Sequence, residues 1–518
     1  MNPAPTHPDR WRADNPDAPA GLLEAFCAYE DALMADDLAV LDDLFADAPG
    51  TLRGDPEGLL VGHAAIGAFR AVRGGAPSRT LAAVRVVGTG ETAVVVAVTE
   101  PTRGGHGLQT QAWRRGADGA WRIDVAHVAP PPVTFDASVW RVVGDPLAFP
   151  TGAGPLTGES VAVKDLFAVA GHRVGAGVPA WLAEQEPAAS DSAAVALLRR
   201  AGALIRGIAR TDQFAYSLAG DNPHHGTPVN PAVPGALPGG SSSGSAVAVS
   251  LGAATIGLAT DTAGSVRVPA SYQGLWGWRP THGGVPTGGL LPLAPDFDTV
   301  GLLTRELDPL RRAAAVLLGE SAGTQTCGER VRPATLPGVA ASARAAFEAW
   351  ADAAGLGILE LPDLAEAAEA FRVHQAWQAW QAHGRWLTSH PGAMLGAAGQ
   401  RFAAAASVTV AEDRAARATL ARWRATLDAT LGDATLVVPS AASAAPRRWA
   451  TPEQVDAHRA ATFGLTCIAG ITGRPAISAP LLTTPTGPVG VSFIGPRASD
   501  LALLEEAATL PVGVSPPG

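Results

Sequence analysis

The chain has 518 residues, 47% of them hydrophobic and 17% charged, which describes packed globular protein and a length too great for one core. A net charge of −10 offers no electrostatic footing for nucleic acid or for an anionic membrane. Cys27, Cys327 and Cys467 are too scattered for a disulfide framework or a metal site, and no signal-like or 18-residue apolar run is visible, so the expectation is a metal-free cytoplasmic protein.

The first 20 residues are polar and proline-rich and read as a disordered leader. Leu22, Leu23, Phe26, Tyr29 and Leu33 then recur at helical spacing. A second helix is expected over 38–45 with Asp37 as its N-cap, and a third over 62–72. Four β-type runs follow, "TLAAVRVVGTG", "TAVVVAVTEP", "LQTQAWRR" and "WRIDVAHVA", each bounded by turn residues or charges. Helices followed by an antiparallel meander predict an α+β domain over 21–130. The prolines at 130–132 open a linker and entry segment over 131–150.

From 151 to 518, short β runs alternate with Ala- and Leu-rich helices, such as 193–201 and 246–251, which predicts an α/β sheet domain. A helical stretch over 365–431 is dense in tryptophan. Trp377 and Trp380 share a face of it, where they serve either as core or as the wall of a substrate pocket. The runs "ATLVVPS" and "GPVGVSFIG" return the chain to the sheet.

Three features of this second domain carry chemistry. In "VAVKDLF" stands Lys164, the only lysine among 38 Lys plus Arg residues. Its apolar flanks read as a buried strand, where an ammonium is costly and a lysine, unlike an arginine, can lose its proton and act as a base. "PGGSSSGSAVAVSLG" runs from a Gly/Ser turn into an apolar helix, so its serines sit among the free N–H groups of a helix start. "TDTAGSVRVPAS" adds a small-residue turn whose amides converge on one point, as an oxyanion requires. A hydroxyl nucleophile, a relay hydroxyl and a buried amine together make a proton path.

With those motifs, the chain from about 135 onward resembles the amidase signature hydrolases. The resemblance extends to "GTPVNPAVPGALPGGSSSGSAVAVSLG", "LATDTAGSVRVPASYQGLWGWRPTHG" and "LPLAPDFDTVG". It implies an α/β amidase signature fold, a mixed central sheet covered by helices, over 151–518. It also implies Lys164 as base, Ser241 as a bridging serine after a cis peptide bond and Ser265 as nucleophile. Thr262, Ala263, Gly264 and Ser265 would supply oxyanion-hole N–H groups, with Ser242, Asp261 and Arg267 in support. No cofactor is implied. Ala263 departs from the glycine usual in this family, and a Cβ restricts φ there.

Residues 21–129 resemble AtzH-like proteins, which implies an NTF2-like cone fold. The matching text is "AFCAYEDALMADDLAVLDDLF", "GHAAIGAFRAVR" and "TQAWRRGADGAWRIDVAHV". His63, Arg70, Arg79 and His127 are candidates for its pocket, and a homodimer through this domain is expected. The leading expectation is hydrolysis of a small linear carboxamide. A biuret- or allophanate-type urea derivative is the alternative substrate, with an ammonia-delivering amidotransferase subunit and a non-catalytic scaffold as other classes.

Overall fold

The computed structural model describes residues 7–55, 58–73, 79–101, 107–129 and 136–509. The chain divides into two compact units, 1–134 and 135–518.

The front unit packs its helices on a six-stranded sheet. Arg79–Thr89, Thr92–Pro101, Gly107–Arg115 and Trp121–Ala129 form the antiparallel meander, and Leu52–Asp55 adds parallel to the last of them. Period-two alternation sets the faces: Ala93, Val95 and Ala97 are buried, whereas Val94 and Val96 point outward. Helix Leu38–Asp43 starts at Asp37, whose carboxylate accepts the Val40 N–H at 3.2 Å.

The leader differs from expectation. Residues 9–12 form a short helix and Trp11 is buried in the front core. The Asn15 amide donates to Trp11 O and Val84 O and accepts from Val86 N, which fastens this segment to the strand Arg79–Thr89. In the segment 131–150, residues 131–135 fall outside the described residues, and the entry to the rear unit is a strand: Trp140–Ala148 forms an edge of the rear sheet, antiparallel to Leu204–Ala209.

The rear unit is built on an eleven-stranded mixed sheet with helices packed against it. At the functional end, Ser160–Lys164 runs parallel both to Ile256–Thr260 and to Leu204–Ala209. Every residue of Ile256–Thr260 is buried, as a strand covered on both faces requires. The parallel register brings the carboxyl ends of these strands side by side, where open α/β sheets place their ligands. The Trp-rich stretch is three helices, Ala365–Ser389, Gly396–Ala405 and Val410–Leu431, which enclose a second core with Phe214, Phe297 and Phe371. Among the described residues no helix is long and apolar enough to cross a membrane.

Candidate active site

Lys164 ends its strand fully buried, and parallel pairing sets Thr260, the end of the next strand, beside it. The Lys164 Nζ lies 2.8 Å from Ser241 Oγ, 3.0 Å from Ser242 Oγ and 2.7 Å from Thr260 Oγ1. Ser241 follows a cis Gly240–Ser241 peptide bond and leads into helix Ser243–Ser250. Its carbonyl accepts the Thr211 hydroxyl at 2.8 Å and the Asp212 N–H at 3.3 Å.

Burial drives the lysine toward its neutral form, down to about 7, against the opposing pull of Asp212, Asp261 and Asp298. The hydroxyl triplet suits both protonation states. An ammonium donates to all three oxygens, whereas a neutral amine has two N–H donors and one lone pair. Ser242 Oγ spends its own proton on Thr260 O at 3.3 Å, so it accepts from the amine. The lone pair is then available to the Ser241 O–H.

Ser265 stands at the start of the turn into helix Arg267–Gln273 and opens on a cavity of about 220 Å³. Thr262, Ala263, Ser217, Gln375 and Arg459 also line that cavity. Among the described residues Ser265 Oγ makes no hydrogen bond, a common state before substrate tightens a site.

Asp261 organises the turn. Its carboxylate accepts from Gly264 N at 3.0 Å, Val266 N at 3.2 Å and Arg267 Nη2 at 2.8 Å, and pairs with Arg279 Nη1 at 3.1 Å. Burial alone would lift this carboxyl, but Arg267 and Arg279 hold it well below the usual carboxylate range. The Gly264 N–H is therefore committed to Asp261, which removes it from the four expected oxyanion donors. Among the described residues the N–H groups of Thr262, Ala263 and Ser265 have no protein acceptor. Ala263 also meets no conformational difficulty: the positive φ, +123°, falls on Gly264, where a Cβ would press on Thr466 at 3.1 Å.

Four site residues escaped the sequence reading. Thr260 contacts the lysine directly. Arg279 shares Asp261, and Asp298 accepts the Thr262 hydroxyl at 2.6 Å. Arg459 reaches the cavity from helix Pro452–Thr472. Asp298 and Arg279 lay within text that carried the resemblance, "PDFDTVG" and "GWRP", whereas Arg459 had no signal.

The tryptophans are not the cavity wall. Helix Ala365–Ser389 contributes Gln375 to the Ser265 cavity, while Trp380 packs against Gly384 within the second core. In the front unit, Arg70 and Arg79 both lie near enough to buried Tyr29 to act on it, while the four candidate pocket residues have separate partners. Arg79 pairs with buried Glu30 at 2.9 Å and with Gln109 at 3.0 Å. Arg70 donates to Leu41 O over the Phe45 ring, His63 contacts Asp42, and His127 is exposed on the outer sheet face.

The family model described as Amidase matches residues 148–345, and the model described as AtzH-like matches residues 12–131. A solved amidase crystal structure is 30% identical with a TM-score of 0.62, covering 68% of this chain and 85% of that one. The chain belongs to the amidase family. This amidase-family chain is 46% identical over 184 residues to Amidase 1 of Arabidopsis thaliana, 36% of this chain and 43% of that protein. It also resembles, at 26% identity and a TM-score of 0.63, a chain of a vestigial protein complex bearing on the evolutionary origins of an s-triazine catabolic enzyme. That match covers 69% of this chain and 85% of the other. The chain spans less than half the length of the curated relatives it matches.

Proposed function

We propose that the rear unit hydrolyses the C–N bond of a small carboxamide through Ser265, Ser241 and Lys164. The observation that carries this reading is the wholly buried amine within hydrogen-bond reach of the Ser241 hydroxyl. Neutral Lys164 takes the Ser241 proton as Ser241 takes the proton of Ser265. Ser265 Oγ then forms a bond to the carbonyl carbon, and the carbonyl electron pair becomes an oxyanion facing the N–H groups of Thr262, Ala263 and Ser265. The tetrahedral intermediate collapses as the proton held by Lys164 returns through Ser241 to the nitrogen, which leaves as ammonia or amine. Water attacks the acyl-enzyme along the same path and releases the acid. The chain's own groups balance each step.

Likeness to an allophanate hydrolase of Kluyveromyces lactis, 25% identical with a TM-score of 0.62, favours a second reading of the substrate as a biuret- or allophanate-type urea derivative. The test is ammonia release from short carboxamides by the wild type and by Lys164→Arg, Lys164→Ala and Ser265→Ala. The expected result is turnover by the wild type and losses of at least about 1000-fold in all three variants. An active Lys164→Arg enzyme contradicts the proton path, because a guanidinium does not deprotonate.

For the front unit we propose self-association through the outer sheet face. Val87, Val94, Ala112 and Val125 form a row across four strands, flanked by Val96 and Leu108. Val87 is 72% exposed and Leu108 is 51% exposed, an apolar surface of the kind that marks protein contacts.

A further inference from the structure

The cavity beside Ser265 has one charged wall. Arg459 lines it, and among the described residues the wholly buried Arg459 Nε has no hydrogen-bond partner. The side chain forms no ion pair among the described residues, unlike the buried guanidiniums of Arg267 and Arg279, which share Asp261. Its surroundings are also short of negative charge. Arg401 and Arg372 act on it repulsively, and Tyr216 and Asp456 attract it without forming an ion pair. Arg401 spends its Nε–H on Tyr216 O at 2.8 Å, and Arg372 is paired with Glu369. A guanidinium taken out of water with no carboxylate is costly, and a bound anion is what compensates it.

We propose that Arg459 is a specificity-determining residue that binds a carboxylate on the substrate, so that the preferred substrates are short amides bearing a carboxylate. This rests on the reading of Ser265 as the nucleophile. Arg459 and Ser265 line one and the same cavity, so the carboxylate and the scissile carbonyl lie close together along the substrate. Two sources share that chemistry: the monoamide of a short dicarboxylic acid and an N-carboxylated urea. Gln375 and Ser217, on the same cavity, offer neutral hydrogen bonds to the intervening atoms.

The experiment measures kcat/KM for malonamate, succinamate and allophanate against the neutral amides butyramide and biuret, in the wild type and in Arg459→Met and Arg459→Lys. Charge-assisted hydrogen bonds of this kind correspond to about 10–100-fold each. The expected wild-type preference is therefore at least about 10-fold for a carboxylated substrate over its neutral counterpart, carried mainly by KM. In Arg459→Met the ratio falls to within about 3-fold of unity, and Arg459→Lys retains part of it. The better of the succinamate and allophanate arms identifies the source of the carboxylate. A wild-type preference for neutral amides, or an undiminished ratio in Arg459→Met, overturns the proposal. A second readout needs no turnover: succinate raises the Tm of the wild type more than butyramide does, and this difference shrinks in Arg459→Lys and disappears in Arg459→Met. A wild type that cleaves no amide yet shows the succinate shift counts against the hydrolase reading and not against the carboxylate site.

Discussion

Replacing Lys164 by methionine keeps most of the side-chain volume and removes the one lysine amine. The native amine titrates at about 7, below its ordinary value of 10.5, because burial disfavours the charge. Between those values the unfolded chain holds a proton that the native chain lacks, so unfolding takes up a proton and native stability rises with pH. The full penalty, present below the native value, is about 5 kcal/mol, and it fades as pH approaches 10.5. The substitution also strands the hydroxyls of Ser241, Ser242 and Thr260, at a cost of about 1–3 kcal/mol that does not vary with pH. The slope is therefore the informative quantity. Urea unfolding of wild type and Lys164→Met should show the stability difference moving in favour of the wild type by roughly 2–3 kcal/mol between about pH 7.5 and 9.5. Parallel stability curves would refute the buried, neutral amine.

Further substitutions probe the surrounding groups. Thr260→Val removes one partner of Lys164 and should lower kcat/KM by about 10–100-fold in an amide assay. Asp261→Asn leaves Arg267 and Arg279 without their carboxylate, and a loss of about 3–5 kcal/mol should appear in chemical denaturation. Ala263→Gly should retain activity, whereas Gly264→Ala, forced to a φ of +123° against Thr466, should lose about 1–3 kcal/mol of stability in the same measurement. In the front unit, Val94→Asp on the exposed valine row should shift light-scattering mass from dimer to monomer; an unchanged mass would remove that face as the contact.

The chemistry was legible where one residue type was out of place. A lone lysine between apolar neighbours, followed by two Gly/Ser turns entering helices, marks the site without knowledge of the fold. Its remaining members depend on pairings that the local sequence does not encode. Thr260 reaches Lys164 only because their strands run in parallel register, and Asp298 reaches Thr262 across 36 residues. Arg459 comes from a helix far along the chain and carries no motif. The same limit explains the leader: its composition reads as disorder, yet Trp11 and Asn15 find partners some 70 residues away on the strand Arg79–Thr89. Trp377 and Trp380 illustrate the converse, since helical spacing places them on one face without distinguishing core from cavity. The difference is decided by Gly384, which gives Trp380 a seat.

Because Lys164 is the only lysine in the chain, selective ¹³C labelling of lysine gives one side-chain signal whose pH titration reports this amine alone. The account predicts a midpoint near 7 in the ligand-free protein, and a lower one in Asp212→Asn, where an attracting charge is lost. A signal that stays that of an ammonium up to about pH 10 would contradict it.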